Sequence, residues 1–422
     1  MALFLLTMKE IIKTILSDFH RKELPNLVKR NIEIPLNSGK IVTLIGPRRS
    51  GKTFLMYQTM SNISDKTNII YFNFEDERLD LSAKTLNLIL EAYLELYPDK
   101  NEEEIFFFFD EIQEVEGWEK FVRRMYDTIS KNIFVTGSSA KFLSKEIATS
   151  LRGRSITYEV LPLSFKEYLT FQKVPLDINS TKGKAKIKNL LLTYLSLGGF
   201  PEVVNMSSQL YEQTLRDYFE VMIYRDIVER YEVTNVLALK LLIKKLVTNS
   251  SKEFSINKIF NELKSQGVKV SKDSLYKFVE YSEDAYVMFT ISNFSELINK
   301  QILKKVYSID MGISSLLSFS LSKDSGRLFE NIVFLELKRR GKNIHFFKNK
   351  YECDFVIKKK DKIDTLIQVC YNLTKDNEER EINGLKEAMQ RFKTKNGIIL
   401  TLDQEKEING IKVVPFWKWA LK

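Results

Sequence analysis

One eight-residue segment constrains this chain more than any other. Gly46-Pro47-Arg48-Arg49-Ser50-Gly51-Lys52-Thr53 is a complete G-x-x-x-x-G-K-T, preceded by the apolar run Ile41–Ile45 and followed by a helix-compatible stretch. Glycines at the two ends let successive backbone N–H groups turn toward one point, at the positive end of the helix that follows. Lys52 adds a compact charge for the β- and γ-phosphates, and the Thr53 hydroxyl a ligand for Mg²⁺. All eight residues are candidate nucleotide-binding residues, with ATP and Mg²⁺ as the expected ligands.

Short apolar runs recur after this point, at 68–74, 104–109, 133–136 and 155–160, separated by amphipathic stretches. Such runs fit strands buried on both faces, so the pattern predicts a parallel sheet with helices above and below, an α/β architecture. The run Phe106-Phe107-Phe108-Phe109 ends in Asp110-Glu111. In α/β sheets ligands bind at the C-terminal ends of strands, which is where these acids would stand. Asp110 is the candidate second metal ligand beside Thr53, and Glu111 the candidate base that polarises the attacking water. Ser138, after the next apolar strand, is a candidate contact to the γ-phosphate or that water. Arg152 and Arg154, flanking Gly153, are candidates to neutralise charge on the transferring phosphoryl group. Arg225 is a weaker candidate for the same task.

The order of 46–53, 106–111, Thr136-Gly137-Ser138-Ser139, 151–154 and Leu161-Pro162-Leu163-Ser164-Phe165 resembles the archaeal and bacterial AAA-superclass P-loop ATPases. The Gly-Pro-Arg-Arg opening and the Leu-Pro-Leu-Ser-Phe segment are the specific marks, and the resemblance spans the chain. It implies Mg-ATP binding and hydrolysis, a helical lid, a winged helix and a C-terminal restriction-endonuclease-like α/β domain.

Beyond residue 161 the reading turns helical. Residues 164–250 are predicted as helices interrupted by the lysine-rich stretch 181–188 and by Gly198-Gly199-Phe200-Pro201. A short helix at 255–265, a Gln266-Gly267 turn, a helix at 271–282 and a strand-like 285–310 follow the order of a winged helix-turn-helix. A helix at 328–340 and strands near 343–348, 354–358, 365–370 and 397–402 complete the chain. Residues 8–30 read as a helix followed by a Pro25 turn. The expected domains are 1–162 (ATPase core), 163–234 (helical lid), 235–320 (winged helix) and 321–422 (nuclease-like).

Net charge locates a partner surface. Lys and Arg total 65 and Asp and Glu 55, giving +10. Residues 1–230 balance at 31 of each, whereas residues 331–422 hold 20 basic and 13 acidic groups. A neutral nucleotide-binding half joined to a basic half points to an anionic partner, and DNA is the expected one. Lys269, Lys272 and Lys277, on and before the predicted recognition helix, are its candidate contacts.

In the last domain Glu330, Asp354 and Gln368 resemble the helix Glu, the strand Asp and the Glu/Gln of a Glu/Gln-x-Lys tripeptide in a nuclease core that gathers Mg²⁺ at a phosphodiester. Cys370, however, stands where that pattern carries lysine. Without the lysine a charge expected to stabilise the developing oxyanion is missing, and neutral Gln368 weakens a hard-cation site. The neighbouring lysines 358–360 are not placed by the sequence. A fold without competent cleavage is the expectation.

With only two cysteines, Cys353 and Cys370, no disulfide framework is expected, and His20 and His345 lie too far apart in sequence to form a Cys/His zinc pattern. No apolar run approaches the roughly 18–20 residues of a membrane span, so a cytoplasmic protein without a membrane partner is expected. The leading function is a Mg²⁺-dependent ATPase whose nucleotide state changes how its basic domains hold DNA. Its rivals are a nucleotide-gated switch that binds a protein, and an ATP-dependent nuclease. A homo-oligomer is compatible with either ATPase reading, since an arginine finger acting in trans needs one.

Overall fold

The computed structural model describes residues 2–80, 82, 84–137, 149–295, 303–318 and 325–422. It divides into two compact units, Met1–Val160 and Leu161–Lys422. Among the described residues no helix is long and apolar enough to cross a membrane.

The first unit opens with helix α1 (Ala2–Arg21), then alternates β1 (Ile41–Ile45), α2 (Lys52–Met60), β2 (Ile69–Asn73), α3 (Asn87–Leu96), β3 (Phe106–Asp110), α4 (Trp118–Thr128), β4 (Ile133–Gly137) and β5 (Ser155–Glu159). The strands form one parallel sheet in the order β2-β3-β4-β1-β5. Every residue of β1 and β4 is buried, as runs apolar on both faces require, whereas edge strand β5 is only half-buried. Phe108 of β3 stacks on Phe134 of β4 with ring centroids 4.5 Å apart, so the aromatic run is core. β4 therefore lies between the strand leading into the P-loop and the strand ending in the two acids. The helix read at the start of 8–30 begins earlier, at Ala2, and stops at Arg21, four residues before the Pro25 turn. Proline supplies no N–H and disfavours helix in the residue before it.

The second unit begins with α5 (Phe165–Phe171), α6 (Thr181–Leu197), α7 (Ser208–Ile223) and α8 (Val236–Thr248), with a π-helical turn at Tyr224–Glu229. The lysine-rich stretch 181–188 is no interruption, since it forms the first half of α6. Lysine and alanine are good helix formers, Ser180 caps the helix by accepting from Gly183 N, and Ile187, Leu191, Tyr194 and Leu195 bury one face. The break at Gly198-Gly199 is real, and its cause lies 111 residues away. A Cβ on Gly198 would stand 2.0 Å from Asp310 Oδ1, and Gly199 N donates to Asp310 Oδ2 at 2.7 Å.

Next come β6 (Glu253–Phe254), α9 (Ile256–Ser265), α10 (Lys272–Asp284), β7 (Met288–Ser292), β8 (Lys304–Ser308) and α11 (Met311–Leu317). β7 and β8 are an antiparallel pair, and the small sheet runs β6-β8-β7. The chain closes with α12 (Ser325–Arg339), β9 (Asn343–Lys348), β10 (Glu352–Lys359), β11 (Lys362–Cys370), α13 (Lys375–Arg391), β12 (Gly397–Thr401), β13 (Lys406–Ile408), β14 (Ile411–Pro415) and α14 (Phe416–Ala420). Their sheet is mixed, in the order β13-β14-β12-β11-β10-β9. Strands β9, β10 and β11 pair antiparallel, while β11, β12 and β14 pair parallel.

Candidate functional site

The P-loop turns between the C-terminal end of β1 and the start of α2. Gly51 precedes the helix at φ +96, Arg49 is left-handed at φ +63, and Gly46 sits at φ +145. A Cβ on Gly46 would lie 2.2 Å from the Val160 carbonyl oxygen, so only glycine fits there. Lys52, 4% exposed, donates from Nζ to the carbonyls of Gly46 (3.2 Å) and Pro47 (3.1 Å) across the mouth of the loop. Arg30 braces the loop from outside the motif, with Nη1 donating to Ser50 O at 2.7 Å. Arg48 pairs with Glu75 at 3.3 Å. Among the described residues Ser50 Oγ is buried with no hydrogen-bond partner. That orphaned hydroxyl, the glycine-only turn and the inward lysine are a donor set suited to phosphate oxygens.

Parallel pairing brings the acids to the same edge of the sheet. Thr53 Oγ1 donates to Asp110 Oδ2 at 2.7 Å, and Thr136 Oγ1 at the end of β4 donates to Asp110 Oδ1. Tyr71 OH reaches Asp110 Oδ2 at 3.3 Å. Burial pushes the Asp110 carboxyl above the usual carboxylate range, while the hydrogen bonds from Thr136 and Thr53 pull the other way. Glu111 is left-handed at φ +52, which turns it out of the strand. Its N–H donates to Thr136 Oγ1 at 2.9 Å, its Oε2 accepts from Gln113 Nε2 at 2.5 Å, and its Oε1 lies 3.9 Å from Lys52 Nζ. Lys52, Thr53, Asp110 and Glu111 thus converge as a hydroxyl–carboxylate pair for a divalent cation beside a lysine and a second carboxylate.

Ser138 lies outside the described residues. Arg152 and Arg154 lie elsewhere. They precede β5, and β5 pairs with β1 from Ile41↔Ser155 to Ile45↔Glu159, so they stand at the N-terminal edge of the sheet. The P-loop is at the opposite edge, a strand length of roughly 13 Å away. Arg154 is held there by Asp127 at 2.9 and 3.1 Å. In this arrangement neither guanidinium stands beside the P-loop of its own chain. Sequence reasoning missed Thr136, Gln113 and Arg30. The polar end of the otherwise apolar β4 was the one available signal, and it marked Thr136.

In the second unit Lys269, Lys272 and Lys277 are exposed around α10, with Tyr276 exposed beside them. Glu330 on α12 and Asp354 on β10 meet, but at the ammonium of Lys305 from β8 (3.1 and 3.2 Å). Gln368 does not join them. Side chains alternate along β11, and Gln368 points with Leu366 and Cys370 toward α13, where its Nε2 donates to Glu381 Oε2 at 2.7 Å. Lys358 and Lys359 end β10 and Lys360 turns the hairpin into β11, away from Asp354.

Comparison with known proteins agrees with the geometry of the first unit. A profile described as an AAA domain matches residues 38–169. Residues 188–324 and 325–419 match two domains of unknown function, DUF8612 and DUF4143. The chain is 40% identical to the uncharacterized protein MJ1544 of Methanocaldococcus jannaschii, over 97% of this chain and 94% of that protein. It is 31% identical to an uncharacterized protein of Haemophilus influenzae, over 90% and 94%. Among solved structures, the Walker-type ATPase PABY2304 of Pyrococcus abyssi aligns with 73% of this chain and 95% of its own at 15% identity. The TM-score of that alignment is 0.44. The chain belongs to the family of these archaeal and bacterial relatives, and its first unit is an AAA-type P-loop ATPase domain.

Proposed function

We propose that this protein hydrolyses ATP to ADP and phosphate with Mg²⁺, and that its nucleotide state governs how its basic second unit holds DNA. The convergence of Lys52, Thr53, Asp110 and Glu111 at one edge of the sheet carries the reading. Residues 46–53 would hold the phosphates, and Thr53 with Asp110 would hold Mg²⁺, which neutralises charge on the transferring phosphoryl group when bound. Glu111, fixed by Gln113 and by the Thr136 contact to its own N–H, would accept the proton of the attacking water. Arg152 and Arg154 would complete only the site of a second copy, so the reading favours an oligomer.

The DNA half has separate support. α9, α10 and the β6-β8-β7 sheet follow the order of a winged helix, with Lys269, Lys272, Lys277 and Tyr276 exposed on and before its second helix. The helix, three antiparallel strands, helix and parallel strand of the last region follow the order of a nuclease-like fold, and that region holds most of the surplus charge. Helices 163–234 would form the lid.

The deciding experiment is an ATPase assay with and without single-stranded, duplex and branched DNA, run on wild type, Lys52→Ala and Glu111→Gln. Lys52→Ala should lose nucleotide binding, and Glu111→Gln should bind ATP without turnover. Wild-type turnover by Glu111→Gln would remove the catalytic assignment. Absence of DNA affinity at low salt would remove the DNA half, because phosphate contacts strengthen steeply as salt falls.

A further inference from the structure

We infer that Lys305 occupies the cation position of the nuclease-like pocket, so that the protein's own ammonium stands where a divalent metal would be bound. The inference deepens the nuclease-like reading of the last region and is independent of ATP hydrolysis.

β8 delivers two side chains to one face, Lys305 and Tyr307, because residues two apart in a strand point the same way. Lys305 is 2% exposed. A fully buried ammonium is tolerated only when its charge and its three protons are matched. Here three carboxylates surround Nζ: Glu352 Oε1 at 2.6 Å, Glu330 Oε1 at 3.1 Å and Asp354 Oδ1 at 3.2 Å. The pocket is built around that contact. Tyr307 OH donates to Glu330 Oε1 at 2.7 Å, and Val369 N donates to Asp354 Oδ2 at 2.9 Å, so both acids are oriented by other groups. Glu352 is steadied on its far side by Lys348, 3.7 Å away, which also pairs with Glu253 at 2.6 Å. The acids hold Lys305 in its charged form, raising its pKa despite burial.

A hard divalent cation needs these same oxygens at about 2.0–2.6 Å. The ammonium already lies on the oxygens that Glu330 and Asp354 would offer, and two cations cannot share the position. Gln368, turned toward Glu381 on α13, contributes nothing to the pocket. A lysine that served a developing oxyanion would have to stand clear of the metal-holding pair, whereas Lys305 is centred on it. The consequence is a domain that keeps its acids but takes up no metal, and that gains a divalent-cation site when the ammonium is removed.

The test uses the full chain with saturating Mg-ATP, so that the P-loop contributes equally throughout. Thermal melting with and without added Mn²⁺ is compared for wild type, Lys305→Ala, Lys305→Met and Lys305→Ala combined with Asp354→Asn. Wild type should show no Mn²⁺-dependent shift. The single variants should melt lower and recover by several degrees with Mn²⁺, and the double variant should not recover. An Asp354-dependent Mn²⁺ shift in wild type would overturn the inference. So would Mn²⁺-dependent DNA cleavage by wild type that Lys305→Ala abolishes, which would make the lysine catalytic. Lys305 variants that fold neither with nor without Mn²⁺ would also count against it.

Discussion

Thr53 Oγ1 donates a 2.7 Å hydrogen bond to Asp110 Oδ2, joining the helix that opens from the P-loop to the acid strand across the intervening β4. The other carboxylate oxygen is taken by Thr136, the last polar group of β4 before its closing glycine. One threonine hydroxyl on each neighbouring element thus fixes both oxygens of the candidate metal ligand. Such a carboxylate is presented to a cation without reorganisation at the moment of reaction, which is how preorganised sites gain rate.

Thr136 is a positioning residue, since it acts through Asp110 and through the N–H of Glu111. Thr136→Val keeps the shape and removes both hydrogen bonds. Each is worth about 1–3 kcal/mol when its loss leaves a buried group unpaired, and losing about one such bond's worth of transition-state stabilisation lowers kcat roughly 10- to 100-fold. Nucleotide affinity should change little, because the P-loop itself is untouched. A fall in affinity with unchanged kcat would assign Thr136 to ground-state binding instead.

Gly46→Ala tests the loop. The added Cβ would meet a backbone oxygen 2.2 Å away in a conformation that L side chains rarely adopt. Val160 is paired through its own N–H to Ile45 O at 2.7 Å and cannot retreat without breaking the sheet edge. Strain of this kind costs about 1–3 kcal/mol before any clash is counted. The variant should melt lower and lose nucleotide binding, by calorimetry and a fluorescent-nucleotide titration. Unchanged affinity would show that the loop tolerates an open turn.

The nucleotide site was legible because its signals are local. Residues 46–53 and 106–111 each carry strand, turn and functional side chains within a few positions, and parallel pairing of β1, β4 and β3 brings them together. What escaped depends on distant partners. Arg30 reaches Ser50 from 20 positions away, and Lys305 meets Asp354 across 49. Residues 181–188 were misread because a lysine run looks like a solvated loop, while the apolar face that makes it a helix starts only at Ile187. The resemblance that suggested Gln368 as a partner of Asp354 could not show on which face of β11 it lies.

Asp310 gives the second unit a pH signature. It is fully buried, accepts from Gly199 N and Gly312 N at 2.7 and 2.8 Å and from Ile313 N at 3.4 Å, and caps α11. Burial outweighs these donors and pushes its pKa from 3.8 up to about 6. A folded-state value above the unfolded one means the native state binds more protons between those limits. The associated stability is therefore fully present below about pH 4 and is lost as pH rises through about 6, a swing of roughly 3 kcal/mol. Asp310→Asn removes the titration but leaves one carbonyl oxygen for three N–H donors, so the variant should be less stable at acid pH with a shallower pH slope. Urea unfolding of both proteins from pH 4 to pH 7 reads the difference. Equal slopes would mean that Asp310 keeps its ordinary pKa and that its link to Gly199 is not bought at the cost of burying a charge.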